Sequence, residues 1–178
     1  MEISCHRVSS GCASGQALVT KEAISFLGNV DPKTGVIVDP GHELHGKCIA
    51  GKVLIFPGGK GSTVGSYVIY QLKKRGLAPA AMINIRSEPI VAVGAIISGI
   101  PLVDRVPEEV LDWECDTCVR VDADRAIVVV NDRVRDEKLK SALFEKCKED
   151  LSLTEEDLEE LERSREQAWS ETRKKYSL

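Results

Sequence analysis

Apolar positions along this chain fall into short, separated runs, most of them of strand length, with polar turns between them. Residues 16–20 (Gln-Ala-Leu-Val-Thr) predict a strand after a glycine- and serine-rich start, and residues 23–27 predict another short strand or a bend. Residues 29–35 are turn chemistry throughout, with Asp31 and Pro32 initiating and Gly35 closing. Val36, Ile37 and Val38 predict a further strand, broken at Asp39, Pro40 and Gly41.

The middle of the chain carries the strongest pattern. Val53, Leu54, Ile55 and Phe56 form an apolar run bounded by breakers, as a buried strand requires. A loop of Pro57, Gly58, Gly59, Lys60 and Gly61 follows, and then Val64, Val68, Ile69 and Leu72 recur at helical spacing. Ser62 or Thr63 is placed to cap that helix, Lys73, Lys74 and Arg75 suit its last turn, and Gly76 suits its stop. Residues 80–84 predict a buried strand, about twenty residues after Phe56, as a right-handed strand-helix-strand crossover needs. Residues 90–97 fit either a helix or a buried strand by periodicity, and Pro89 at the start with Gly99 past the end favours a helix. Leu102, Val103 and Asp104 predict a short strand, and residues 119–122 and 126–130 predict a hairpin turning at 122–125.

Beyond Asn131 the composition shifts to charged, helix-prone residues over 136–150 and 154–176. Thr154 with Asp157 resembles a capping box, and Leu158, Leu161, Ala168, Trp169 and Tyr176 form a thin apolar stripe suited to packing on the domain or on a partner. The expectation is a mixed α/β body over residues 1–131 and a charged helical extension over 132–178.

Composition narrows the function classes. The chain has 178 residues, 43% hydrophobic and 29% charged, as in an ordinary globular protein. One domain of roughly 130 residues with an appendage is expected, able to bury roughly 70% of its unfolded surface. A net charge of −4 gives no general attraction to nucleic acid or acidic membrane, and 4% aromatic residues argue against stacking on single strands. No signal peptide or membrane-spanning run is evident, which leads to the expectation of a cytoplasmic protein. Its six cysteines (Cys5, Cys12, Cys48, Cys115, Cys118 and Cys147) are then read as free thiols.

Strand, glycine loop and helix start together make an arrangement that can hold an anion. Free N–H groups and the positive end of the helix dipole face whatever sits above the loop, and Lys60 adds a full charge. The loop is not a nucleotide P-loop, because Lys60 precedes Gly61 and the hydroxyls follow it. Gly58, Gly59 and Gly61 also lack dinucleotide-fingerprint spacing. The pattern equally suits an ordinary strand-to-helix turn with a serine cap. His42 and His45 with Cys115 and Cys118 are conceivable zinc ligands, or solvated loop histidines beside loop thiols. Cys115 and Cys118 precede a strand rather than a helix, which favours inert thiols over a thioredoxin-like pair.

Residues 15–104 resemble the small subunit of the aconitase X family, on ALVTKEAISFLGNVDPKTGVIVDPGHELHGKCIAGKVLIFPGGKGSTVGSY, APAAMIN and EPIVAVGAIISGIPLVD. VRVDADRAIVVV extends the resemblance to about Val130, while CDTC and the tail from Asp132 depart from it. The resemblance implies a swivelling β/β/α domain similar to the mobile domain of aconitase. It also implies a separate large subunit that carries a 4Fe-4S iron–sulfur cluster, with no metal bound by this chain. In archaeal members the pair is similar to an enzyme that dehydrates (R)-5-phosphomevalonate to trans-anhydromevalonate 5-phosphate. Bacterial relatives include a cis-3-hydroxy-L-proline dehydratase. By the same resemblance Ser62 stands in the place of the catalytic base; Lys60 and Gly61 of the anion-holding loop are the expected substrate-binding residues, together with Thr63, which could orient substrate oxygens or simply cap the helix.

A serine hydroxyl is a poor base at rest, since even bulk water has a pKa of about 15.7. A helix end supplies about 1–2 kcal/mol, whereas each pKa unit is about 1.36 kcal/mol. One dipole therefore cannot make the alkoxide, and further donors in a dry, closed site are required. The chain is expected to be inert alone and to act once closed over its partner. Ser66, in the first helical turn, is expected to be structural. A non-catalytic anion-binding module and a zinc or thiol-redox protein are the competing classes.

Overall fold

The computed structural model describes residues 1–115 and 117–131, so the helices expected over 136–150 and 154–176 lie outside the described residues. The chain runs β1 (Glu2–Ser4), β2 (His6–Ser9), β3 (Cys12–Val19), an irregular turn α1 (Phe26–Asn29), β4 (Val53–Phe56) and α2 (Gly65–Lys74). It continues with β5 (Ala81–Asn84), α3 (Pro89–Ser98), β6 (Leu102–Asp104), a 3-10 turn (Glu108–Asp112), β7 (Cys118–Asp122) and β8 (Ile127–Asn131).

Strand order is β1-β8-β7-β3-β4-β5-β6-β2, and β3 is the joint of the sheet. Its first half, from Cys12 to Gln16, pairs antiparallel with β7, while Ala17, Leu18 and Val19 pair parallel with Val53, Leu54 and Ile55 of β4. One strand thus belongs to two layers, an antiparallel one (β1, β8, β7, β3) and a largely parallel one (β3, β4, β5, β6), with β2 antiparallel on the far edge.

The pleat of the parallel strands sorts the core into two clusters. Leu54, Phe56 and Met82 pack with Val68, Ile69 and Leu72 of α2 and Val91 and Ala95 of α3. Val53, Ile55, Ala81 and Ile83 point the other way, onto Val119, Val121 and Val128 of the antiparallel layer. The result is a sheet-on-sheet-on-helix domain, and it explains why β4 and β5 are buried at every position. Fully burying a side chain such as Ile69 stabilises by about 1.5–3 kcal/mol, so the helical layer is firmly seated.

Most elements lie where the pattern puts them, including α3, with Pro89 in its first turn and Gly99 at its left-handed C-cap (φ 59°). Gly76 follows α2 with φ 71°, a conformation glycine adopts without strain. Three readings change. The strand expected at 36–38 is reduced to isolated bridges, Val30 with Ile37 and Val36 with Cys48, because turns at 31–35 and 39–42 bracket it too closely. Residues 23–27 divide between a bridge from Ile24 to Gly59 and the turn α1, which leaves helical geometry at Leu27 and Gly28. β1, β2 and the first half of β3 were not expected; β1 and β2 are edge strands of mostly polar, exposed residues. Among the described residues, no helix is long and apolar enough to cross a membrane.

Candidate functional site

Parallel pairing brings the segments that follow β3, β4, β5 and β6 to one end of the sheet, where ligands of open α/β sheets gather. The glycine loop after β4 is tied there by backbone bonds. Ile24 N donates to Gly58 O at 3.2 Å, Lys60 N to Ile24 O at 3.0 Å, and Arg86 N to Pro57 O at 3.0 Å. Gly61 (φ 98°) closes the turn against Ser25, whose Oγ would lie 2.6 Å from any Cβ added there.

Beyond that clamp the chain is exposed, and Lys60, Gly61, Ser62 and Thr63 share one solvent-facing segment. The helix begins later than the periodicity suggests. Val64, not Ser62 or Thr63, occupies the N-cap, and no side chain caps the helix. Val64 is also 47% exposed rather than on the core face. Ser62 Oγ instead accepts the Val64 N–H at 3.3 Å, and Ser62 O accepts Gly65 N–H at 2.9 Å. Gly65, the first residue of α2, lies close against α3, where an added Cβ would stand 3.1 Å from Ile90 Cγ2. Ser62 is exposed, with the Val64 amide donor aimed at its hydroxyl oxygen. Ser66 is buried, and its hydroxyl donates to Thr63 O at 2.8 Å, a structural placement.

Buried polar groups brace the same end. Asn84 Nδ2 donates to Phe56 O at 3.1 Å, Ser87 Oγ donates to Asn84 Oδ1 at 3.2 Å, and Ser87 N donates to Asp104 Oδ2 at 3.2 Å. His6 Nδ1 lies 2.7 Å from the other Asp104 oxygen. These bonds hold the ends of β4, β5 and β6 in register, so the loops above them stand on a rigid base. Arg86 and Arg105, both exposed, add cations at this end that the sequence pattern did not single out.

His42 and His45 do not meet the cysteines in a ligand set. His42 is buried, its Nδ1 accepting the Leu44 N–H at 3.1 Å, while His45 and Cys115 are exposed. Among the described residues no three His, Cys, Asp or Glu side chains are grouped to hold a metal ion. Beside His42, Glu43 accepts from the Thr20 hydroxyl and the Lys21 amide. Burial would push its carboxyl up, but those donors and the Glu22 amide hold it below the usual carboxylate value.

An antiparallel and a parallel sheet layer joined by β3, with helices packed on the parallel one, make a β/β/α domain. The chain belongs to the aconitase X swivel domain family, whose sequence profile matches residues 2–130. It is 76% identical over 132 residues to the phosphomevalonate dehydratase small subunit of Methanothrix thermoacetophila, covering 74% of this chain and 96% of that one. It is 58% identical over 134 residues to the protein of the same name from Methanococcoides burtonii, covering 75% and 98%. Among solved structures it resembles Thermococcus kodakaraensis aconitase X (holo-form), with a TM-score of 0.71 and 48% identity over 74% of this chain and 98% of that one. Each match leaves about a quarter of this chain unaligned.

Proposed function

We propose that this chain is the small subunit of a hydro-lyase that dehydrates (R)-5-phosphomevalonate to trans-anhydromevalonate 5-phosphate, with Ser62 as the base. The observation that carries this reading is the 76% identity to a phosphomevalonate dehydratase small subunit spanned almost whole. In the proposed step, ionised Ser62 Oγ takes the proton next to the substrate carboxylate. The electrons of that C–H bond form the alkene, the C3–O bond breaks with the hydroxyl group leaving, and release of the proton from Ser62 completes the loss of one water and restores the base. The Val64 N–H, 3.3 Å from Ser62 Oγ, favours negative charge on that oxygen. Lys60 adds a cation, and Gly61 and Thr63 flank the substrate oxygens.

By the family resemblance the implied 4Fe-4S cluster belongs to the large subunit, where it would act as a Lewis acid toward the leaving hydroxyl. Ser62 stands exposed on this chain. Exclusion of water therefore falls to the partner, which would make the chain inert alone.

The test reconstitutes this chain with its large subunit without oxygen and follows alkene formation by NMR. Ser62→Ala is expected to keep the two chains co-eluting and to lower kcat by about 10²–10⁴-fold or more. Near-normal turnover by that variant would remove Ser62 as the base. Turnover of cis-3-hydroxy-L-proline instead would change the substrate, and anion binding without any turnover would make the chain a non-catalytic binding module.

A further inference from the structure

Glu88 stands where β5 leads into α3, one residue before Pro89. A proline forces the preceding residue out of helical conformation, and Glu88 accordingly has φ −103° and ψ 167°. Ser87 beside it is fastened to Asn84 and Asp104, so the backbone has little freedom. From this anchored position the carboxyl group lies against the glycine loop. A Cβ on Gly59 would be 2.8 Å from Glu88 Oε2 and 2.5 Å from Val91 Cγ2. A Cβ on Gly58 would collide with Glu88 Oε1 and lie 2.7 Å from Arg86 O. The two glycines therefore form a recess that the carboxyl group fills.

That occupant is costly. Glu88 Oε2 is buried without a hydrogen-bond partner, and an unsatisfied buried polar atom works against folding. Burial pushes the carboxyl above its usual pKa, although the backbone N–H groups of Gly59 and of Glu88 itself oppose the shift. An apolar side chain would fill the same space without that penalty. A destabilising group beneath the loop that carries the proposed base is the pattern of a residue kept for function.

We propose that Glu88 is a positioning residue, whose carboxyl group fills the Gly58–Gly59 recess and steadies the Gly59 peptide so that Ser62 is presented in one place. This inference rests on the reading of Ser62 as the base. Gly59 is one residue before Lys60 and three before Ser62. A shift of that peptide is passed directly to the exposed segment, and a misplacement of about 1 Å at a reacting group costs about 10²-fold in rate.

The reconstituted complex tests this with three variants. Glu88→Ala empties the recess and is expected to lower kcat by about 10–10²-fold with KM within about twofold. Its thermal midpoint in the isolated small chain should be unchanged or raised, because the unsatisfied oxygen is gone. Glu88→Gln keeps the volume and an acceptor oxygen, and is expected to restore kcat to within about threefold of the parent. Ser62→Ala runs alongside as the control for the base. If Glu88→Ala keeps kcat within about twofold while Ser62→Ala is inactive, the positioning role is overturned and the base stands. If Glu88→Ala and Glu88→Gln lose kcat together with a lowered midpoint, Glu88 is only a structural residue. Normal turnover by Ser62→Ala overturns both readings together.

Discussion

Gly94→Ala tests how tightly the two helices set the candidate loop. Gly94 of α3 faces α2, where an added Cβ would stand 2.6 Å from Ile69 Cδ1, 3.1 Å from Ile69 Cβ and 3.2 Å from Ser66 Cα. The first contact is the far end of a side chain that could rotate, but Ile69 is fully buried, and the third contact is backbone. Ordinary helix propensity favours alanine over glycine by about 1 kcal/mol. Overpacking a tight interior costs about 1–3 kcal/mol. With one backbone and one branched-carbon contact both tight, the steric cost should win, leaving a net loss of about 1–2 kcal/mol.

Urea unfolding of the small chain would measure that loss as a lowered midpoint at constant slope. Ile69→Val removes the nearest colliding atom and by itself costs about 0.5–1.5 kcal/mol. In the double variant the two changes should compensate, so that the combined loss is smaller than the sum of the single losses by about 0.5 kcal/mol or more. Because α2 begins three residues after Ser62, the single Gly94→Ala variant should also lower kcat in the complex. A Gly94→Ala chain as stable as its parent, or strictly additive losses in the double variant, would refute the close-packing argument.

Glu88→Gln should show a distinct pH dependence of stability. The folded-state carboxyl has a raised pKa, so the folded form holds its proton more tightly than the unfolded chain, and stability falls as pH rises through the folded value. The glutamine variant lacks that fall: its midpoint should match the parent near pH 4 and exceed it at neutral pH, and a gap that is constant across pH would contradict the burial argument. The Cys5 thiol is pushed up to about 11 by burial first and by the Asp104 charge second. Alkylation at pH 8 followed by mass spectrometry should label Cys5 about 10²-fold more slowly than an ordinary thiol; labelling at the rate of exposed Cys12 or Cys48 would contradict it.

The strand-helix-strand core was legible because both faces of β4 and β5 are buried, leaving continuous apolar runs that no loop resembles. The start of the chain was not, because β1 and β2 border solvent at the two edges of the sheet and need few apolar residues. Periodicity also misplaced the start of α2, since Val64 continues the apolar spacing yet lies 47% exposed on the approach to the helix.

The order of residues in this chain determined by itself the strand-helix-strand core of β4, α2 and β5, the helix α3, and that a serine follows a glycine loop. Those are local consequences of side-chain period, capping and backbone freedom. Which face of each strand meets helix and which meets sheet, and that Glu88, some thirty residues away along the chain, fills the recess of that loop, was decided only by tertiary structure. Contacts between distant residues depend on strand order and on the bend of β3 between its two partners, and no local spacing encodes either.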